Sequence, residues 1–411
     1  MKASNQIFYQ SKLINISIYL SPVFIIFLDL GKQLIQKTIY IGNESFFLVG
    51  LLKDLLAIFL GGILLIAYIF CVKDKKIFFN NCVTVFITFW LIYLLVRTLF
   101  SENMLISAWG LRQYIEFLSF YYFCLIIPYE KKEKIKFFDI TIITSLIISL
   151  LGLIRYYVNS DFLFIRPDIL KLDQYNPIFE SLKFKRFTSL SLNPNECGII
   201  LVCGILALFY KVSSQKNKFI NIFLISILTF CLFLTYSRSS WIGLLSGLGV
   251  MFFAEKRTRK IIIMVAVIII LIFLNSETLR LRIIEGGLWN PRFINWSYAF
   301  NEVTSKENYF LFGFGIGTIG GKISFNQSFT TLDNYFLTIF YEAGLIGLVL
   351  FVLIFLCTLK KANYIYKFSL NAKSAYALII AFFVSNLFSP TISTPWGNAI
   401  FWISFGLYMR G

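Results

Sequence analysis

The 411-residue sequence contains no histidine. That removes the commonest metal ligand and the commonest general base, so any catalysis must run on other groups. Charge is also sparse: Asp, Glu, Lys and Arg make up 14% of residues, against 58% hydrophobic. A soluble domain cannot cover its surface with so little polarity, so the solvent must be lipid. Paired cysteine spacings are missing. The seven cysteines (Cys71, Cys82, Cys124, Cys197, Cys203, Cys231, Cys357) lie almost wholly inside apolar runs. This argues against a disulfide framework or a metal cluster and for small, packable core residues. A cleaved secretory leader is not expected either. The first apolar run, from near Leu13, carries Pro22 and Asp29 and lacks a small-residue cleavage site.

What the sequence does have is long apolar runs. In lipid every backbone N–H and C=O must be bonded within its own segment or barrel, which leaves helices or a closed barrel. Barrel strands alternate apolar and polar residues, whereas runs such as Lys260–Asn275 and Phe336–Leu359 are continuous and helix-length. The expected fold is therefore all-α and polytopic, one membrane domain over residues 1–411 with about 12 transmembrane helices. They are placed near 13–30, 46–71, 78–100, 113–128, 137–158, 196–210, 219–235, 239–254, 260–275, 333–359, 374–389 and 396–409.

Positive charge orients the bundle. The N-terminal arm, alternate loops and the C-terminus carry 21 of the 38 basic residues, as 18 lysines and three arginines, with only four of the 21 acids. Those segments hold the whole +17 excess and are assigned to the cytoplasm, with both termini. The excess is a topology signal, and nucleic acid is not an expected partner. The opposite side holds nine arginines: Arg97, Arg112, Arg155, Arg166, Arg186, Arg238, Arg280, Arg282 and Arg292. Insertion rules do not ask for them there. The planar guanidinium suits bidentate capture of phosphate or carboxylate, although interfacial snorkelling or pairing with acids would also account for any one of them.

Two outer connections, 159–195 and 276–332, are longer than a bundle needs. In the second, Phe293, Trp296, Phe300 and Val303 are spaced 3, 4, 3, one stripe of a helix expected to lie on the membrane face with its apolar side down. Asn193-Pro194-Asn195-Glu196, Asn290-Pro291 and Ser237-Arg238-Ser239-Ser240 read as helix starts. Free N–H groups at such starts favour anions, and Arg186, Arg238 and Arg292 stand beside them. Capping alone would explain the asparagines but not the arginines.

Phe312-Gly313-Phe314-Gly315-Ile316-Gly317 follows the surface helix. No strand precedes it, so a turn or close helix packing is expected rather than a nucleotide loop. Leu332-Asp333-Asn334-Tyr335 opens a long span. Asp333 reads either as a helix cap or as a general base at a cavity mouth. Glu342 lies nine residues on, on the opposite helix face and about 13 Å deeper, and is expected to be a buried structural contact. Arg112 and Glu116, at i and i+4, are expected to pair.

These stretches resemble the O-antigen polymerase and O-antigen ligase superfamily. The similarity rests on Arg186–Asn195, Thr235–Gly243, Asn290–Trp296, Leu311–Gly317 and Asp333–Gly347, in family order across about 186–350. The resemblance implies a GT-C-like bundle acting as an inner-membrane glycosyltransferase with a periplasmic site and no metal or other cofactor. It implies donor and acceptor glycans on undecaprenyl diphosphate, surrounding membrane lipid, and a chain-length regulator as a further partner. Carried over, Arg186, Arg238 and Arg292 are diphosphate ligands and Asp333 the catalytic base, with Asn195, Arg112 and Asn334 as secondary candidates. Ligases of the family usually have His where this chain has Asp333, which favours polymerisation of O-antigen, capsule or exopolysaccharide units. Ligation, protein O-oligosaccharyl transfer and lipid-linked oligosaccharide flipping are the alternatives.

Overall fold

A computed structural model describes residues 81–126, 131–158, 186–189, 193–213, 218–275, 290–319, 332–362 and 369–410. The spans expected near 13–30 and 46–71, and most of the 159–195 loop, lie outside them. The described residues form helices and contain no strand. In order these are α1 (Cys82–Leu99), α2 (Met104–Ile115), α3 (Leu118–Ile126), α4 (Lys131–Val158), α5 (Pro194–Ser213), α6 (Lys218–Thr235) and α7 (Arg238–Ala254). They continue as α8 (Arg259–Asn275), α9 (Asn290–Thr304), α10 (Glu307–Phe312), α11 (Tyr335–Ala362), α12 (Leu370–Asn386) and α13 (Pro395–Arg410). Among them 5 are long and apolar enough to cross a membrane: α1, Phe137–Tyr157 of α4, α5, α6 and α11.

Helix starts follow local chemistry. Pro194 opens α5, where its missing N–H costs nothing, and Asn193 Oδ1 accepts from Asn195 N at 2.8 Å. Ser237 caps α7 by accepting from Ser240 N. At α11 the cap is Asn334, whose Oδ1 accepts from Leu337 N at 3.0 Å. Asp333 is therefore not the cap.

Two expected spans are broken. The run near 113–128 is two helices, α2 and α3, parted at Glu116–Phe117. The span near 333–359 kinks at Gly344, whose φ of 68° leaves the helical region. The length of the apolar run does not show either break.

The bundle has a central helix and an aromatic half. α5 is buried along nearly its whole length, between α4, α6, α7 and α12. α7 lies closest to α12, where Gly243 and Gly247 bring its backbone against the carbonyls of Ala381 and Ala377. Lipid offers no hydrophobic drive between helices, so such small-residue contacts and ring packing carry the association. In the other half Trp90 of α1 packs on Phe351 of α11 and Trp402 of α13, at centroid distances of 5.4 and 6.4 Å. Of the cysteines, Cys124, Cys197, Cys203 and Cys231 are buried packing residues as expected, while Cys82 is exposed and Cys357 half-buried.

Candidate functional site

Among the described residues most lysines stand at one end of the bundle and most arginines at the other, Arg259 and Lys306 being exceptions. At one end Lys211 pairs with Asp139 at 2.7 Å, Lys373 with Glu255 at 3.6 Å, and Lys361 donates to the carbonyls of Tyr408 and Met409. At the other end Arg97 Nη2 donates to Gly313 O at 3.0 Å and Arg155 Nη1 to Ser189 O at 2.9 Å. Arg186, Arg238 and Arg292 share that arginine end. Arg166, Arg280 and Arg282 lie outside the described residues.

The starts of α5 and α7 meet there around Asn195. Arg186 Nε donates to Thr235 O at 3.1 Å, and its Nη2 reaches Asn195 Oδ1 at 3.4 Å. Ser237 Oγ donates to the same Oδ1 at 2.9 Å. Behind it, Ser240 and Ser239 hydroxyls lie 2.8 and 3.1 Å from Ser237 Oγ. The two starts approach this closely because Gly198 has no side chain: a Cβ there would stand 2.3 Å from Ser240 Oγ. Phe187 N donates to Leu234 O at 2.8 Å, which seats the short 186–189 segment beside the end of α6. Tyr236, at φ 51°, turns the chain sharply into the cap residue Ser237.

α9 supplies the other side. Arg238 stands within electrostatic reach of Arg292, and Arg292 Nε meets Asp333 Oδ2 at 3.1 Å. The side chains of this pair are 27% and 38% exposed, so it is open to solvent or ligand. Such a pair adds little to stability. Trp296 Nε1 donates to Leu332 O at 2.6 Å, and Tyr341 Oη to Glu302 Oε2 at 3.0 Å, so α9 is tied to α11 along its length. Along the apolar stripe of α9 burial is graded. Val303 and Ala299 are buried against α11 and Trp296 is half-buried, while Phe293 and Phe300 are each 51% exposed, Phe300 still packing on Phe340 of α11 at 5.9 Å. The bonds of Arg292 and Trp296 tie the start of α9 to the Leu332–Asp333 turn. Asp333 itself has φ 46°, and with Tyr236 it makes two non-glycine residues with positive φ among those described. Both lie at the arginine end, immediately before helix starts, where stored strain is a pointer to function.

Behind this open end lies a closed polar knot. Phe314 N donates to Tyr341 O at 2.8 Å and Gly315 N to Glu342 O at 3.0 Å, so the glycine-rich loop satisfies the carbonyls freed by the kink in α11. Tyr93 Oη donates to Ala343 O at 2.6 Å and completes that satisfaction. Glu342, 1% exposed, accepts from Tyr114 Oη at 2.5 Å and from Ile319 N at 3.1 Å. Gly317 lies on Gly110 of α2 so tightly that a Cβ on Gly110 would be 2.2 Å from its Cα. The loop is a packing device and Glu342 a structural contact, as the sequence suggests.

Of the predicted site residues, Arg186, Asn195 and Arg238 gather around the α5 and α7 starts, and Arg292, Asp333 and Asn334 around the α11 start. Arg112 belongs with Glu116 on α2, where the two charges attract across one turn. Sequence reasoning missed the partners Tyr93, Tyr114 and Thr235. A tyrosine inside an apolar run carries no signal of its own, and Thr235 acts through its carbonyl.

Fold and site together define an integral membrane protein with a cationic polar site at one end of a helical bundle. Residues 222–352 match a protein family described as O-antigen ligase, which agrees with the motif resemblance to the O-antigen polymerase and ligase superfamily. The match runs from α6 into α11 and includes Arg238, Arg292 and Asp333 but not Arg186 or Asn195. No curated protein matches the chain.

Proposed function

We propose that the protein is a repeat-unit polymerase for O-antigen, capsule or exopolysaccharide. In this reading it transfers a glycan from undecaprenyl diphosphate to a sugar hydroxyl of a second lipid-linked unit. The reading is supported above all by one observation: three arginines from separate segments stand at the same end of the bundle as a half-exposed carboxylate, Asp333.

In the reaction the bond from the donor's anomeric carbon to the diphosphate oxygen breaks and a bond to the acceptor hydroxyl forms. Asp333 takes the hydroxyl proton; its Oδ2 is held by Arg292, which orients the carboxylate and leaves Oδ1 for the acceptor. The released diphosphate keeps the electron pair, and Arg186, Arg238 and Arg292 neutralise it. A lipid diphosphate is already a good leaving group, so orientation and charge neutralisation supply most of what is needed. Arginines do this without a metal. The lysine-bearing end faces the cytoplasm of an inner membrane with both termini, and the site opens to the periplasm. A ligase is the second reading, favoured by the matched family's own description.

Deleting the gene and running surface glycan on a gel tests the proposal. A single repeat unit on the lipid core supports the polymerase. Unligated polymer supports the ligase, and lipid-linked units trapped at the cytoplasmic face would overturn both.

A further inference from the structure

Within that proposed diphosphate site, on which this inference rests, the hydrogen-bond directions around Asn195 fix more than its position. An asparagine amide can be placed either way round, and its neighbours decide which. Here Arg186 can only donate, and it points at Oδ1. Ser237 also donates to Oδ1, at 2.9 Å. An amide oxygen can only accept, so in that contact the Ser237 hydroxyl is the donor, while its Oγ accepts from Ser240 N at 3.4 Å. The Ser240 hydroxyl in turn donates to Asn195 O at 3.3 Å, which holds the backbone of the same residue. Two donors from two segments therefore converge on one amide oxygen. Oδ1 is occupied, and Nδ2 with its two protons is turned the other way. Among the described residues Nδ2 donates to nothing, and Asn195 is only half-buried.

We infer that Asn195 is a substrate-binding residue whose Nδ2 donates to a non-bridging phosphate oxygen of the lipid-linked diphosphate. Arginine alone would bind any polyanion. A fixed amide donor placed on the Arg186 side sets where along the diphosphate the phosphorus sits, and therefore where the anomeric carbon stands relative to Asp333. The serines act through Asn195 as positioning residues.

The isosteric change Asn195→Asp tests this. Aspartate keeps an oxygen where Ser237 and Arg186 donate, so folding should hold or improve, but it replaces the two protons with a second anionic oxygen. Asn195→Ala, by contrast, removes the acceptor and should lower the melting temperature. The measurement is the thermal shift of the full-length protein in detergent, titrated with farnesyl diphosphate as the probe. The wild type should be stabilised, and Arg238→Ala should lose that stabilisation. Asn195→Asp should bind the probe roughly ten-fold or more weakly, as loss of a charge-assisted hydrogen bond implies, with an unliganded melting temperature no lower than wild type. Binding by Asn195→Asp within two-fold of wild type, with Arg238→Ala still defective, overturns the assignment of Asn195 and leaves the site standing. No stabilisation of the wild type at any probe concentration overturns the diphosphate site, and this inference with it.

Discussion

The Glu342 knot and the Asp333 end are built from similar groups yet are in opposite physical states. Glu342 is 1% exposed, and both of its carboxylate oxygens accept hydrogen bonds from within the protein, from Tyr114 and Ile319. Asp333 is partly exposed and uses one oxygen on Arg292, with Arg186 and Arg238 at the same end of the bundle. A polar group satisfied internally at membrane depth serves the fold, because leaving it unsatisfied there costs several kcal/mol. Arginines gathered at an open end suit an anionic ligand. The difference separates two carboxylates that lie nine residues apart on one chain segment.

The largest effect should come from exchanging their chemistry in turn. Asp333→Asn keeps the size of the side chain and an acceptor for Arg292, but cannot take a proton. A general base contributes about 10²–10⁴-fold, so chain elongation by the purified protein should fall by at least ~100-fold while its melting temperature hardly moves. Glu342→Gln should do the reverse, melting earlier and elongating within about ten-fold of wild type, since one of the two hydrogen bonds survives. If elongation survives Asp333→Asn and dies with Glu342→Gln, the comparison is inverted and the base lies in the knot.

Next comes the kink that the knot serves. A Cβ at Gly344 would stand 2.3 Å from Leu311 O, and φ there is 68°. With ψ at −169° this backbone region is open essentially to glycine alone and costs another residue roughly 1–3 kcal/mol before any clash. Gly344→Ala should therefore reduce the yield of monodisperse protein in detergent. Yield and melting equal to wild type would mean the loop does not clamp the helix break. Tyr114→Phe is milder. It takes a donor from a buried carboxylate, a bond of about 1.5–3 kcal/mol, and should lower the melting temperature without changing elongation measured well below it.

The sequence made some of this legible and not the rest. Apolar runs announced helices, because in lipid the backbone must bond within its own segment. The motif arginines and Asp333 could be named because charge at a helix start is conspicuous in a chain this apolar. The division of labour at the α11 start was not visible: Asp333 and Asn334 are both good caps, and only the geometry gives the cap to Asn334 and the ion pair to Asp333. Nor was the break at Gly344, since it depends on Phe314 and Gly315 arriving from some thirty residues upstream. Long-range partners of this kind leave no periodicity. The seating of α9 on α11 was hidden for a related reason, because Arg292 and Trp296 bind a distant turn.

The smallest effect tests whether α9 belongs to the site or merely covers it. Trp296 Nε1 holds α9 to Leu332 O, the residue before Asp333, at 2.6 Å. Its ring also packs edge-on against Phe293 at 5.5 Å. Trp296→Phe keeps much of the ring contact and removes the N–H. A neutral hydrogen bond contributes about 0.5–1.5 kcal/mol. If that energy holds Arg292 at its post, kcat/KM for the lipid-linked donor should fall about two- to ten-fold, since each 1.36 kcal/mol is a factor of ten. The loss should be larger for donor than for acceptor, because Arg292 is assigned to the leaving group. A lower melting temperature with donor kcat/KM unchanged would make α9 cladding, and the arginine set would shrink to Arg186 and Arg238.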